Sequence, residues 1–282
     1  WKTPGDHIKS GRLKMTLTIE KLSVKYGPVQ ILHEISFSHV KGEVLCIIGP
    51  NGSGKSTLIK TLAGILDPCE GTITLDKRDV SEISRNEVAK RIGYVPQDFQ
   101  YLTSSTVLEA VILGRRPHVQ WSLTRHDLAK VDTAMEMLNI TSMAEKMLTE
   151  VSGGERQRVF IARAIAQEPD YFLFDEPTSA LDIRHQIDVF QMIKNIAGSK
   201  NRSVLVAVHD LNFAYHYADR VILLDEGKIV SMGTVDEVMT EENIISVYGV
   251  PMQFIKTDAG RYVLPDWKKA EERIPARPEY VM

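Results

Sequence analysis

Eight consecutive residues, Gly49-Pro50-Asn51-Gly52-Ser53-Gly54-Lys55-Ser56, fit the spacing G-x-x-x-x-G-K-[ST]. They follow the apolar run Val44-Leu45-Cys46-Ile47-Ile48 and lead into a helical pattern over 57–63. An unbroken apolar run is what a strand buried on both faces of a parallel sheet displays. The sequence therefore predicts a glycine-rich turn between a central strand and a helix N-terminus. Glycines there let successive N–H groups curl around phosphate, and the helix dipole favours the anion. Lys55 supplies a point charge for β- and γ-phosphates and Ser56 a hydroxyl for Mg²⁺. Asn51, Gly52, Ser53, Gly54 and Thr57 complete the predicted nucleotide-binding surface. A plain strand-to-helix turn would need the glycines but neither the lysine nor the serine.

Further runs of the same kind stand at 171–174, 204–208 and 221–224, and helical patterns over 183–196 and 211–218 separate most of them. Buried strands alternating with helices predict an α/β, doubly wound core with a parallel sheet. Ahead of it, alternating stretches at 17–22, 24–26 and 35–37 predict an N-terminal antiparallel β layer. Between 106 and 167 the buried-strand signal disappears. Helical spacing at 128–138 and 159–165, with a break marked by Gly114, Pro117 and His118, predicts an inserted α-helical subdomain. A helical, mixed-charge stretch over 235–247 then leads to Tyr248-Gly249-Val250-Pro251, a hairpin around Asp258-Ala259-Gly260 and an irregular end containing Pro265, Pro275 and Pro278. The expected organisation is an N-terminal extension or tag over 1–14, disordered, and one domain over 15–282. Within that domain the core covers about 15–97 and 168–250, the helical subdomain about 98–167, and the tail 251–282.

Composition narrows the function classes. Lys and Arg number 34 against 37 Asp and Glu, a net charge of -3, whereas a nucleic-acid-binding domain carries a basic excess. Cys46 and Cys69 are too few for a disulfide framework or a cysteine zinc site, which suggests a reducing compartment. No apolar run approaches the ~18 residues of a spanning helix, and the first residues lack the apolar region of a signal peptide.

Asp175 and Glu176 close the run at 171–174, which places them at the carboxyl edge of the sheet beside the glycine-rich turn. Asp175 there can hold Mg²⁺, and Glu176 can orient or deprotonate an attacking water. Ser152-Gly153-Gly154-Glu155 opens an amphipathic helix and reads in two ways. It is a capping box, with Ser at the N-cap and Glu three residues on. It is also an anion site, with two glycines clearing the helix N-terminus.

Ser152-Gly153-Gly154-Glu155-Arg156-Gln157 resembles the signature motif of the ATP-binding subunits of ABC transporters, and matching motifs run in that family's order from Tyr26 to His209. The resemblance implies a P-loop NTPase core that binds ATP with Mg²⁺ and hydrolyses it. It implies that Tyr26 stacks on adenine, that Gln97 touches metal or water and senses a membrane partner, and that His209 acts on the γ-phosphate. Ser179-Ala180-Leu181-Asp182 is similar to the D-loop. Glu155 stands where the family most often has Gln. Catalytic roles then fall to Glu176, His209 and Gln97, and metal contacts to Ser56, Gln97 and Asp175. The family pattern also implies a head-to-tail dimer, with Ser152, Gly153, Gly154 and Glu155 serving the partner copy's nucleotide. The further implied partners are a membrane permease dimer and, indirectly, an extracellular or periplasmic substrate-binding protein, at the cytoplasmic face of the membrane. Leu113-Gly114-Arg115-Arg116-Pro117-His118, the stretch 158–167 and Val247-Tyr248-Gly249-Val250-Pro251 are similar to importers of iron–siderophore, haem or cobalamin complexes. An importer of another metal chelate or oxyanion, an exporter, and a soluble ABC ATPase remain alternatives.

Overall fold

Alternating buried and exposed positions draw the first segment into two long strands. In the computed structural model, which describes residues 16–97, 104–178, 181–199, 202–258 and 260–273, β1 (Thr16–Tyr26) pairs antiparallel with β2 (Val29–Val40). The stretches at 17–22 and 24–26 form one strand rather than two. Register shifts between Ile19 and Val24, with Lys21 in the left-handed region (φ 48°), bend the strand without ending it. The expected extension over 1–14 lies outside the described residues.

β3 (Val44–Ile48) is buried along its whole length and delivers the chain to the glycine-rich turn and α1 (Lys55–Leu62). β4 (Glu70–Leu75) and β5 (Arg78–Asp79) extend the first sheet in the order β2-β1-β4-β5. α2 (Arg85–Arg91) leads into β6 (Ile92–Val95). The helical insertion comprises α3 (Val107–Ile112), α4 (Arg125–Met137) and α5 (Gly153–Ala166). The break expected at Gly114 is instead a 3₁₀ turn over Leu113–His118 that continues α3. Its glycine marks a close approach: a Cβ there would fall 2.1 Å from the Arg163 carbonyl oxygen of α5. Arg115, 3% exposed, locks the turn through Asp127 at 3.0 Å, Glu168 at 3.2 Å and the Ala166 carbonyl at 2.7 Å.

β7 (Tyr171–Asp175), α6 (Ile183–Gly198), β8 (Ser203–Ala207), α7 (Leu211–Tyr217) and β9 (Arg220–Asp225) complete the core, with β10 (Lys228–Thr234) antiparallel at its edge. The second sheet runs β10-β9-β3-β8-β7-β6, parallel from β9 to β6. Its alternate residues feed two cores. Leu45 and Ile47 join Leu58 and Ile59 of α1 and the inner face of the first sheet. Val44, Cys46 and Ile48 join Phe190, Phe160, Val131 and Val107. The helical insertion therefore has no core of its own; it shares one with the sheet face it covers.

The stretch 235–247 is two helices, α8 (Val235–Val238) and α9 (Glu241–Tyr248), because Thr240 caps the second by accepting from Asn243 N–H. The hairpin expected at 258–260 is formed by β11 (Met252–Thr257) and β12 (Gly260–Pro265). Of the end expected to be irregular, Pro265 closes β12 and α10 (Trp267–Arg273) follows, while 274–282, with Pro275 and Pro278, lie outside the described residues. No helix among the described residues is long and apolar enough to cross a membrane.

Candidate functional site

The carboxyl ends of β3, β7 and β8 converge on one cleft of about 530 Å³. Tyr26, Ile31, Asn51, Gly52, Lys55, Ser56, Thr57, Gln97, Glu176 and His209 are among its lining residues. A crevice at that edge of a parallel sheet is where such folds bind ligands.

The glycine-rich turn is shaped by backbone that side chains would block. Gly52 (φ 83°) and Gly54 (φ 101°) occupy the left-handed region. At Gly49 an added Cβ would fall 2.0 Å from the Leu224 carbonyl oxygen, so β9 fixes the start of the turn. Lys55, 4% exposed, folds back so that its ammonium donates to the carbonyls of Gly49 (2.8 Å) and Pro50 (2.9 Å). Burial pulls its pKa below the ordinary lysine value, against the opposing influence of Glu176 and Asp175. The Ser53 hydroxyl is buried in the turn without a protein partner, an orphan donor that a phosphate oxygen suits.

Asp175, 1% exposed, sits behind the turn. Ser56 Oγ donates to its Oδ1 at 2.6 Å, and the Tyr94 hydroxyl lies 3.4 Å from its Oδ2. Burial and this carboxylate push the Tyr94 phenol pKa up. A hydroxyl and a carboxylate side by side form a hard-oxygen pair of the kind Mg²⁺ prefers.

Glu176 is 7% exposed and held from two sides. Gln97 Nε2 donates to its Oε2 at 2.8 Å, and His209 Nε2 lies 2.5 Å from the same oxygen. Its backbone leaves β7 in the left-handed region (φ 49°) while its N–H donates to the Ala207 carbonyl of β8 at 3.1 Å. That conformation costs a non-glycine residue about 1–2 kcal/mol. Strain of this sort persists only where the surroundings over-determine it, commonly at functional sites.

Ser152, Gly153, Gly154, Glu155 and Asp182 do not line the cleft. Ser152 and Gly153 are exposed, and nothing lies within 4 Å of where a Gly153 Cβ would stand. The capping box is closed. Glu155 N–H donates to Ser152 Oγ at 3.3 Å, and Ser152 N–H and Oγ both reach Glu155 Oε2 at 2.8 Å. Those bonds hold the Glu155 carboxyl below its usual pKa. Asp182 caps α6 and accepts from His185 N–H at 3.0 Å, with His185 Nδ1 2.8 Å away. The His185 ring also backs Gly154, where a Cβ would fall 2.9 Å from His185 Cδ2. Ser179 and Ala180 of the expected D-loop lie outside the described residues.

Several contributors to the cleft receive no role there from the sequence motifs. Tyr94 touches Asp175. Gly227 (φ 72°) accepts no Cβ, since Ile31 O would be 1.9 Å away, and its N–H donates to the Ser53 carbonyl at 3.0 Å. The turn pattern Asp225-Glu226-Gly227-Lys228 is the signal that could have located it. The Tyr248 hydroxyl is buried beside the Gly49 backbone, and burial pushes its pKa up to about 12.

The profile of the ABC transporter family matches residues 32–179. An uncharacterised ABC transporter ATP-binding protein of Methanocaldococcus jannaschii is 42% identical over 84% of this chain and 92% of its own length. The ferric enterobactin transport ATP-binding protein of Escherichia coli K12 is 38% identical over 84% of this chain and 88% of its own. Among solved structures, a transporter assigned to the metal-chelate type of ABC transporter, in an inward-facing conformation, matches with a TM-score of 0.78 at 32% identity. That match covers 91% of this chain and 99% of the other.

Proposed function

Because the chain belongs to the ABC transporter family, as one of its ATP-binding subunits, we propose that two copies hydrolyse ATP head to tail and so drive a permease that imports an iron–siderophore, haem or cobalamin complex. The observation that carries the hydrolytic part is Glu176. It is a buried carboxylate in a strained backbone, held between Gln97 and His209 beside a phosphate-binding turn.

In this reading adenine stacks on exposed Tyr26. The N–H groups of Asn51, Gly52, Ser53 and Gly54 surround the phosphates, with Thr57 at the helix start. Lys55 exchanges the carbonyls of Gly49 and Pro50 for phosphate oxygens. Ser56 and Asp175, with Gln97 at the edge, hold Mg²⁺, which neutralises charge between β- and γ-phosphates. Few protein ligands are expected for a metal that shares its coordination with substrate and water. Glu176 takes a proton from the attacking water, and His209 moves its hydrogen bond from Glu176 to the γ-phosphate.

The exposed Ser152–Gly153 corner supports a site shared between copies. It lies outside its own chain's cleft and presents a helix N-terminus, ready-made for an anion, to the surroundings. Ser152 and Glu155 must then release each other as the partner's γ-phosphate arrives, while Asp182 lies at the same interface. Closure on ATP and opening after hydrolysis shift the permease between two states. The substrate class is supported by the names of the relatives and by Leu113–His118. The permease partner places the chain at the cytoplasmic face of the membrane.

Capture of a tagged Glu176→Gln chain with ATP from native membranes, followed by mass spectrometry, tests this reading. A polytopic membrane protein retained in equal amount is the expected result. Ribosomal or DNA-associated proteins without a membrane subunit would overturn it.

A further inference from the structure

The C-terminal hairpin lies against α7, the helix that starts two residues after His209. Asn212, in the first turn, grips the free edge of β12 with both amide atoms. Its Nδ2 donates to the Val263 carbonyl at 3.2 Å, and Val263 N–H donates to its Oδ1 at 2.8 Å. Val263 is 2% exposed, so these bonds are shielded. The Asn212 N–H meanwhile donates to Asp210 Oδ1 at 2.7 Å, the cap that begins α7. One residue thus joins the helix start beside His209 to the backbone of the hairpin.

The surrounding contacts fix the same arrangement. Phe254 meets Tyr215 edge-on at 6.0 Å, and the Arg261 guanidinium stands 5.6 Å above the Tyr215 ring. Gly260 (φ 139°) lies against His216, whose Cε1 would stand 2.5 Å from an added Cβ. On another side of α7, Phe213 and Tyr217 stack on Phe190 of α6 at 4.3 and 5.3 Å. α7 is therefore clamped between the hairpin and α6, whose cap is Asp182. A bidentate grip on an edge strand has one register, since a one-residue slip turns the paired N–H and C=O away.

We propose that Asn212 is a positioning residue for ATP hydrolysis: by locking α7 to β12 it holds His209 at the Glu176 carboxylate and makes the C-terminal hairpin part of the hydrolytic apparatus. The proposal rests on the reading of the cleft as an ATPase site. His209 is 41% exposed at its side chain and meets Glu176 through one atom, so its place depends on where α7 begins. A small misplacement of such a group lowers turnover far more than binding. The nucleotide's own contacts, at Tyr26 and the glycine-rich turn, lie on other elements.

The test compares the full-length parent with Asn212→Ala and Asn212→Asp. Turnover and KM for MgATP are measured together with hydrogen exchange of the amides of α7. For Asn212→Ala, kcat falls about tenfold with KM within about twofold. Exchange in α7 accelerates about tenfold through loss of two neutral hydrogen bonds. Asn212→Asp keeps the acceptor for Val263 N–H but turns a carboxylate oxygen toward the Val263 carbonyl, so it recovers only part of kcat. An active parent with Asn212→Ala equal to it overturns the proposal alone, as does a kcat loss matched by a rise in KM. A parent that hydrolyses no ATP overturns the reading of the site, and the proposal with it.

Discussion

Replacing Glu176 by Gln changes one atom at the centre of the cleft and separates two effects of different size. In the parent, a single carboxylate oxygen receives Gln97 at 2.8 Å and faces His209 Nε2 at 2.5 Å. An amide of the same shape can turn its oxygen to both groups, but its bonds are neutral. Hydrogen bonds to charged groups contribute about 1.5–3 kcal/mol and neutral ones about 0.5–1.5, so the folded state loses roughly 1–3 kcal/mol. Loss of a positioned general base removes about 10²–10⁴ from the rate, or about 2.7–5.4 kcal/mol at 1.36 kcal/mol per tenfold. The left-handed backbone at φ 49° supplies an internal control. Glu176→Gly relieves about 1–2 kcal/mol of backbone cost, which offsets part of the lost bonding. Because it also deletes both charge-assisted bonds, about 3–6 kcal/mol together, it is expected to unfold below the parent's temperature and to turn over as slowly as Glu176→Gln. Phosphate release at saturating MgATP reads the rate, and calorimetry reads ATP affinity, which Glu176→Gln retains. Turnover within about threefold of the parent in Glu176→Gln would show that this carboxylate is no base.

Lys55→Ala removes the buried ammonium and is expected to weaken ATP binding, measured by titration calorimetry; equal affinity contradicts the phosphate reading of the turn. Ser152→Ala opens the capping box, at about 0.5–2 kcal/mol of stability. It lowers the ATPase activity of paired chains while ATP affinity of the single chain holds, and a fall in that affinity would confine Ser152 to its own helix. Bonds from Thr124, then the ion pair with Arg115, hold the Asp127 carboxyl down at about 2. A lowered folded value stabilises above the unfolded pKa of about 3.9 and loses that contribution as pH falls through the folded one. The parent's advantage over Asp127→Asn in urea unfolding is therefore full at pH 7 and roughly halved at pH 3. Equal advantages at the two pH values refute the assignment.

The central strands were legible because burial on both faces leaves no polar position to blur them. β3 falls on the apolar run itself, β7 ends one residue later than its run, β8 is shifted one residue earlier, and β9 is longer by one residue at each end. β4 and β10 were invisible for the converse reason: at a sheet's margin Glu70, Gly71 and Thr72 are exposed, and Lys228 to Thr234 stay half-exposed. Such strands are specified by their neighbours rather than by their own pattern. In the cleft, motif order located Tyr26, Gln97, Glu176 and His209, but not that the last three share one carboxylate oxygen. That meeting depends on three separate loops and on a left-handed turn at a glutamate, which no propensity announces. Tyr94, Asn212 and Gly227 act through local contacts with residues far along the chain, so no periodicity carries them.

The cleft has few loose ends. The ammonium of Lys55 is engaged by the turn's own carbonyls, Ser56 by Asp175, and Glu176 by Gln97 and His209, with Ser53 left over; outside the cleft, Ser152 is engaged by Glu155. A ligand that enters must swap bonds rather than add them, and such exchanges release little net free energy. Under the proposed reading, discrimination for nucleotide then rests on charge and on the adenine ring more than on the number of polar contacts. The same economy eases release in that reading: each of these groups except Ser53 has a stand-in within the chain when product departs. A subunit that empties itself at each proposed turnover is in this way built to idle.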